Sequence, residues 1–341
     1  MQEAVDLFKV DIDIWEPERM VVNSWDVTMK DKDGDPNTVT NYQVKVWFKK
    51  RIEELNPKEL AEIFEENIKT YQPPDIKKYT FKKTKENLLL EITNFDLHLG
   101  KLGWKSETGE NYDMKIARER FNYGINDLMN KAKPFNHNHC VFVTGNDFFQ
   151  ADNPENETSK GTKVDTDVRW QKRYSVGLKV LVDGIDVIRR KSTVDVLFIP
   201  GNHDWQNIYS VANYINAWFR NDPNVNICLS AQSRQYYYWN KILLGYSHGH
   251  NEKAIDLFAI MAREASRHWH EAIVREWHMG HWHHEITKDY KGVVVRWLKS
   301  LTGTDAWHFE KGFIGSVKGS EAFLYSATQG LIANFHSNIM L

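Results

Sequence analysis

The sequence predicts an α/β fold: a layered core over residues 86–341, preceded by a small α+β unit over residues 1–85. Three observations carry this. From residue 87 onward short apolar runs alternate with amphipathic stretches, the pattern of strands packed beneath helices. A chain of 341 residues, 41% hydrophobic and 26% charged, has ample core-forming material and ordinary globular composition. The first 85 residues carry instead a hairpin signal, one helix and a lysine-rich connector.

In the leading unit, Tyr42, Val44, Val46 and Phe48 alternate with Gln43, Lys45 and Lys49, the period-two pattern of a half-buried strand. The run DKDGDPN before them reads as a hairpin turn. Asp31, Asp33 and Asp35 do not make a calcium loop, because Gly34 is misplaced and the twelfth loop position is Tyr42. A helix follows, with Asn56 as cap, Pro57 in its first turn and Glu59 closing a capping box. Leu60, Ile63, Phe64 and Ile68 share one face of it. Pro73 and Pro74 end the helix, and Lys77 to Lys85 forms a solvated connector. In the core, strands are expected at Leu88–Phe95, Cys140–Thr144, Val194–Ile199, Ile242–Tyr246, Val293–Leu298 and Phe323–Ser326. Helices are expected over about 114–132, 168–190, 208–220 and 253–273, each with apolar residues at three-to-four spacing.

The bulk charge narrows the partners. A net charge of −2 excludes a strongly basic nucleic-acid module, though it allows a local basic groove. The two cysteines, Cys140 and Cys228, sit in apolar surroundings, which predicts two buried thiols and a reducing, cytoplasmic setting. No apolar run approaches the roughly 18 residues of a membrane span, and the first residues lack the layout of a signal peptide. No membrane association is expected.

The chemistry-bearing residues collect at strand ends, where ligands gather in open α/β sheets. The first core strand runs into Asp96-Leu97-His98, a spacing that places a carboxylate and an imidazole on one side of extended backbone. The second ends in Gly145-Asn146-Asp147 and the third in Gly201-Asn202-His203-Asp204. A fourth gives His248-Gly249-His250, and the segment before the next strand gives Gly280-His281-Trp282-His283-His284. Each has an ordinary reading by itself. An aspartate after glycine is usually a turn or helix cap, and a histidine cluster can be a solvated loop. Five in this order, each at a strand end, exceed what coincidence supplies.

This ordered set resembles the signature of the calcineurin-like metallophosphoesterase superfamily: DxH, GD, GNH followed by an acid, a lone histidine, then GHxH. The resemblance covers about residues 88 to 335. It implies a four-layer αββα sandwich holding two divalent metal ions. Asp96, His98 and His283 would hold one ion, Asn202, His248 and His281 the other, and Asp147 would bridge them. His203 would be catalytic without binding metal. A donor set of carboxylate, amide and imidazole without thiolate suits manganese foremost, or iron or zinc. The implied reaction is phosphoester hydrolysis by in-line attack of a hydroxide shared between the ions. One position departs from the pattern: the acid that usually orients the catalytic histidine is replaced by Gln150, so Asp152 or Asp204 is expected to substitute. His250 and His284 are either supporting partners or solvated.

The substrate is less legible. The polar loop Asp152–Trp170 can wall the cleft, with Lys160, Lys163 and Arg169 meeting phosphates, or it is an ordinary loop with a helix cap at Asp165 or Thr166. Arg296 and Trp297 can contact a phosphate and stack a base, although strand aromatics are more often core. The run GNDFFQADN with the following KGT is similar to phage- and prophage-encoded metallophosphoesterases described as resembling DNA-repair exonucleases. That likeness implies a phosphodiesterase, a nuclease acting on DNA or nucleotides. A phosphomonoesterase or protein phosphatase on the same metals is the alternative, and a non-catalytic binding scaffold the third reading. Dimerisation is common among related nucleases, so a homodimer is one expected assembly.

Overall fold

The computed structural model describes Val5 and residues 9–12, 14–30, 32–50, 62, 66, 78–81 and 87–339. The chain divides into two compact units, Met1–Gln72 and Pro73–Leu341. In the first, β1 (Trp15–Lys30) pairs antiparallel with β2 (Pro36–Lys50) across the turn that contains Gly34, whose φ of +91° suits glycine. The expected alternation is present, since Tyr42, Val44 and Val46 lie opposite Ser24, Val22 and Met20 on one face. Tyr42 and Val44 are exposed, however, and not half-buried. Of the helix expected from Asn56 only Glu62 and Glu66 are described, both helical, and its Pro73-Pro74 end and most of the lysine-rich connector lie outside the described residues.

The second unit runs β3 (Leu88–Thr93), α1 (Lys105–Thr108), α2 (Met114–Ala132), β4 (His139–Gly145), α3 (Trp170–Arg189), β5 (Thr193–Ile199), α4 (Trp205–Phe219), β6 (Val225–Cys228), β7 (Gln235–Trp239) and β8 (Ile242–Tyr246). It continues α5 (Leu257–Glu264), α6 (Ser266–Glu271), β9 (Val274–Met279), β10 (Ile286–Tyr290), β11 (Val293–Trp297), α7 (Ala306–Glu310), β12 (Gly319–Ser326) and β13 (Gly330–Asn338). One sheet has the order β13-β12-β3-β4-β5-β6 and the other β10-β11-β9-β8-β7. The strands β3, β4, β5 and β6 pair in parallel, as do β8, β9 and β11, and antiparallel strands flank both sets.

Strand alternation divides the interior into three packed layers. Leu88, Leu90 and Ile92 of β3 and Cys140 and Phe142 of β4 meet Phe121, Ile125, Leu181, Ile185 and Ile215 from helices α2, α3 and α4. The intervening Leu89, Val141 and Val143 point the other way and meet Ile242, Leu244 and Tyr246 of the second sheet. Leu243, Trp277, Val293 and Val295 then pack beneath Leu257 and Met261 of α5. Helices, sheet, sheet and helices thus form a four-layer αββα sandwich. The central strands are largely buried on both faces, which is why they read as mainly apolar runs.

Several elements differ from the expectation. The helix over 253–273 is broken at Ala265 into α5 and α6, and β6, β7, β9, β10 and β13 carry no apolar signal strong enough to reveal them. The strand β9 hides because its sequence, VREWHM, mixes charge with core. Glu276 and His278 of β9 are buried with Glu91 of β3. His278 Nδ1 lies 2.7 Å from Glu91, its Nε2 lies 3.2 Å from Glu276, and Arg296 Nε donates to Glu276 at 2.6 Å. This chain of alternating charges joins the two sheets across the apolar layer. Both cysteines are free thiols; Cys140 is buried as expected, but Cys228 is half-buried. Among the described residues no helix is long and apolar enough to cross a membrane.

Candidate metal centre

The loops that leave β3, β4, β5, β8 and β9 converge at one end of the two sheets, and they bring all seven expected donors together. Asp96, His98 and His283 present ligand atoms within 4.8 Å of one another, and so do Asp147, His248 and His281. Asp147 also shares a group with His98 and His203, so it stands between the two sets. Its Oδ2 is 3.0 Å from His248 Nε2 and 3.9 Å from His98 Nε2. His248 Nε2 also has Asn202 Oδ1 at 2.9 Å and His281 Nδ1 at 3.0 Å. In the first set His283 Nε2 lies 3.2 Å from His98 Nε2 and 3.4 Å from Asp96 Oδ1.

The backbone is bent to achieve this. Asp96, His98, Asn146, Asp147, His281 and His283 all have φ between +47° and +69°, the left-handed region that L-residues avoid. Close approach also forces glycine at two positions. A Cβ on Gly201 would lie 1.9 Å from Asp147 Oδ1, and one on Gly280 would lie 2.2 Å from Asp96 Oδ2. The amide of His281 donates to both Asp96 carboxylate oxygens at 3.1 Å, and the amide of His203 donates to Asp147 Oδ1 at 2.7 Å. Sparsely populated conformations gathered at one spot are the mark of a functional site.

Two amides fix the imidazoles. Gln150 Nε2 donates to the Asp165 carbonyl at 3.3 Å, which turns its Oε1 toward His98 Nδ1 at 2.9 Å. Nδ1 must therefore carry the proton, and Nε2 offers its lone pair to the centre. Asn146 does the same for His248: its Nδ2 donates to the Ser247 carbonyl at 3.3 Å and its Oδ1 accepts from Nδ1. Sequence reasoning registered Gln150 as a missing acid and passed over Asn146. Isolated amides have no spacing signature, although both sit beside the GD step.

Neither acid offered as the replacement at Gln150 touches His203. Asp204 is fully buried and accepts from the amides of Gly201 at 2.9 Å and Phe148 at 2.7 Å, pinning one ligand loop to the next. Burial and the nearby Asp147 raise its carboxyl well above the usual range. Asp152 accepts from the amides of Gln206 and Asn207 at the start of α4. His203 Nδ1 donates instead to the Gln150 carbonyl at 2.7 Å, which leaves Nε2 as its free atom for proton transfer. Its ring lies 4.7 Å from that of His98.

The electrostatics favour cations. Burial, with His203 next, holds His98 well below the ordinary imidazole value, and burial likewise lowers His283, and His281 to about 4. Burial opposes charge on both Asp147 and His248, but their mutual attraction dominates: Asp147 falls well below the carboxylate range and His248 rises to about 9. The unprotonated Nε2 of His98 faces that of His283 at 3.2 Å and an Asp147 oxygen at 3.9 Å, a poor contact unless positive charge lies between them. Nitrogen and oxygen donors without thiolate suit a divalent transition metal.

The remaining site expectations divide. The loop after Asp147 does wall the centre, for Ser159 donates to the Asn202 carbonyl through both N and Oγ. Lys160, exposed on that loop, is close enough to His250 to help lower its pKa, after burial and His248. Lys163 pairs with Glu157 at 2.7 Å, and Arg169 is exposed as the residue preceding α3. Arg296 and Trp297 are not at the centre: Arg296 is committed to Glu276, and Trp297 is 8% exposed in the core beneath α5. One solvent-facing aromatic at the centre is Trp282, 53% exposed between His281 and His283. His250 lies with its ring 5.1 Å from that of His248, and His284 Nδ1 donates to the Trp282 carbonyl at 2.6 Å. A fourth donor group, Glu285, Glu321 and His336, already has a cationic partner in Lys299, whose Nζ is 3.2 Å from Glu285 and 2.8 Å from His336.

No protein-family model and no curated protein matches this chain. Among solved structures it is similar to a novel archaeal phosphodiesterase, at 6% identity and a TM-score of 0.34, covering 74% of this chain and 99% of that one. It is also similar to zinc-complexed Vps29 from Entamoeba histolytica, at 12% identity and a TM-score of 0.31, covering 74% and 98%. A conserved uncharacterized protein, a predicted phosphoesterase from Streptococcus pneumoniae, is similar at 10% identity and a TM-score of 0.29, covering 73% and 98%. At these scores the likenesses are distant and assign no function.

Proposed function

We propose that this chain is a calcineurin-like metallophosphoesterase, a phosphodiesterase that acts on DNA or nucleotides with two divalent ions, manganese foremost. The observation that supports the reading best is the pair of donor sets, Asp96, His98 and His283 on one side and Asp147, His248 and His281 on the other, linked through the group that Asp147 forms with His98 and His203. Asp96, His98 and His283 would hold one ion, and Asn202, His248 and His281 the other. Bound there, divalent cations would polarise phosphoryl oxygens and make water a nucleophile near neutral pH.

The protein's own groups supply the rest. Gln150 and Asn146 hold two imidazoles in the tautomer that presents Nε2. Asp204 locks the loops carrying Asp147 and Asn202 through backbone amides, so it is a positioning residue. The Gln150 carbonyl holds His203 Nδ1–H, and when the ring is the imidazolium its Nε2–H would give a proton to the departing oxygen. No covalent protein nucleophile is required.

The test is a panel of bis-p-nitrophenyl phosphate, p-nitrophenyl phosphate, and single- and double-stranded oligonucleotides, assayed with manganese and again with chelator. Diester cleavage that needs metal and disappears in Asp147→Asn is the expected result. Activity confined to p-nitrophenyl phosphate would replace the diesterase with a phosphomonoesterase. No activity on any substrate would leave a binding scaffold.

A further inference from the structure

An aromatic ladder borders the candidate centre, and the chemistry above leaves it unused. The donor His283 stacks face to face on His308, with ring centroids 5.3 Å apart and planes within 16°. From His308 the ladder continues to Trp307 at 5.0 Å and Phe313 at 6.3 Å, and those two rings lie 5.8 Å apart. Exposure rises along it. His308 is half-buried, whereas Trp307 is 56% and Phe313 61% exposed.

The base of the ladder is braced. Asp305 accepts from His308 N at 2.8 Å and from His308 Nδ1 at 2.6 Å. Its other oxygen lies 3.0 Å from Nζ of Lys101, which is buried. The amide of Phe313 donates back to the His308 carbonyl at 2.8 Å, closing the turn that carries the outer ring. A buried Lys–Asp pair is costly to desolvate, and here it holds the His308 ring at the foot of the ladder. Rigid exposed aromatics continuous with a ligand cluster are a docking surface for another planar ring.

We propose that the Trp307–Phe313 surface seats a nucleobase adjoining the phosphodiester held at the metal centre, so that the substrate is single-stranded nucleic acid. This rests on the phosphodiesterase reading above. A chain of net charge −2 lacks the basic field that gathers duplex polyanions, and stacking supplies affinity without it. Every base has a π face, so the subsite tolerates any sequence, while paired bases in a duplex are already stacked. Ile314 and Val317 are also exposed and widen the apolar surface, which makes a second copy of this chain the competing occupant.

The experiment compares a labelled oligothymidylate with its counterpart carrying abasic tetrahydrofuran residues, both assayed with manganese. In the wild type KM is expected to be about tenfold lower for the base-bearing strand, the scale of one stacked base. The difference should collapse in Trp307→Ala/Phe313→Ala and largely persist in Trp307→Tyr. Equal KM values in the wild type, or a ratio that survives the double substitution, would overturn the proposal. So would a dimer that dissociates on the double substitution while the ratio stands. Hydrolysis of bis-p-nitrophenyl phosphate with neither strand cleaved would remove the nucleic-acid substrate but keep the diesterase. Failure on all three would remove the diesterase reading itself.

Discussion

At the scale of single residues, the amides beside the donors deserve equal weight with the donors. Gln150→Ala removes the acceptor that holds His98 Nδ1–H and lets the ring change tautomer. Manganese affinity, read by titration calorimetry, should fall about 10- to 100-fold. His203→Asn leaves the ligand set untouched, so metal content should stay near wild type while kcat falls about 100-fold or more. An unchanged kcat would deny His203 the proton. The donors themselves were legible because five short motifs recur in order at strand ends. Their supports were not: Asn146, Gln150, Lys101 and Asp305 are ordinary residues whose partners lie far off in sequence. Arg296 and Trp297 misled for a related reason. Which face of β11 they occupy depends on pairing with β9, a strand that the pattern did not reveal.

At the scale of elements, the strands that read clearly are those buried on both faces. β3, β4, β5 and β8 are mainly apolar, with Glu91 in β3 and Asp195 in β5 as isolated acids, so period and burial point the same way. β9 does not, because Arg275, Glu276 and His278 interrupt it, and the sequence reveals only the histidines that follow it. The connection from β9 to His281 is also where geometry is least forgiving. In Gly280→Ala the added methyl would occupy the place of Asp96 Oδ2, and either the carboxylate or the loop must move. Displacements near 1 Å at a reacting centre cost about 100-fold in rate. Gly280→Ala should therefore lose turnover on that scale while its circular dichroism stays native.

At the scale of the whole molecule, the Glu91–His278–Glu276–Arg296 chain crosses the interior between the sheets. Burial by itself would lower His278, but Glu91 and Glu276 raise it to about 9 from an ordinary 6.5. A group whose folded pKa is raised stabilises fully below its unfolded value and loses that contribution as pH climbs through the folded one. Stability against urea should thus fall between about pH 6.5 and 9, by on the order of 3 kcal/mol for this group. His278→Gln should be less stable at pH 6 and should flatten that part of the profile. An unaltered slope would show that the proton binds elsewhere.

The left-handed backbone at Asp96, His98, Asp147, His281 and His283 sets evolution of this protein against itself. Glycine at those positions would relieve strain of about 1 kcal/mol or more apiece, so selection for heat resistance alone would favour it. Each such gain would delete a donor. Directed evolution under thermal pressure, with no assay of catalysis, should therefore enrich sturdier proteins that have been disarmed at these five codons first.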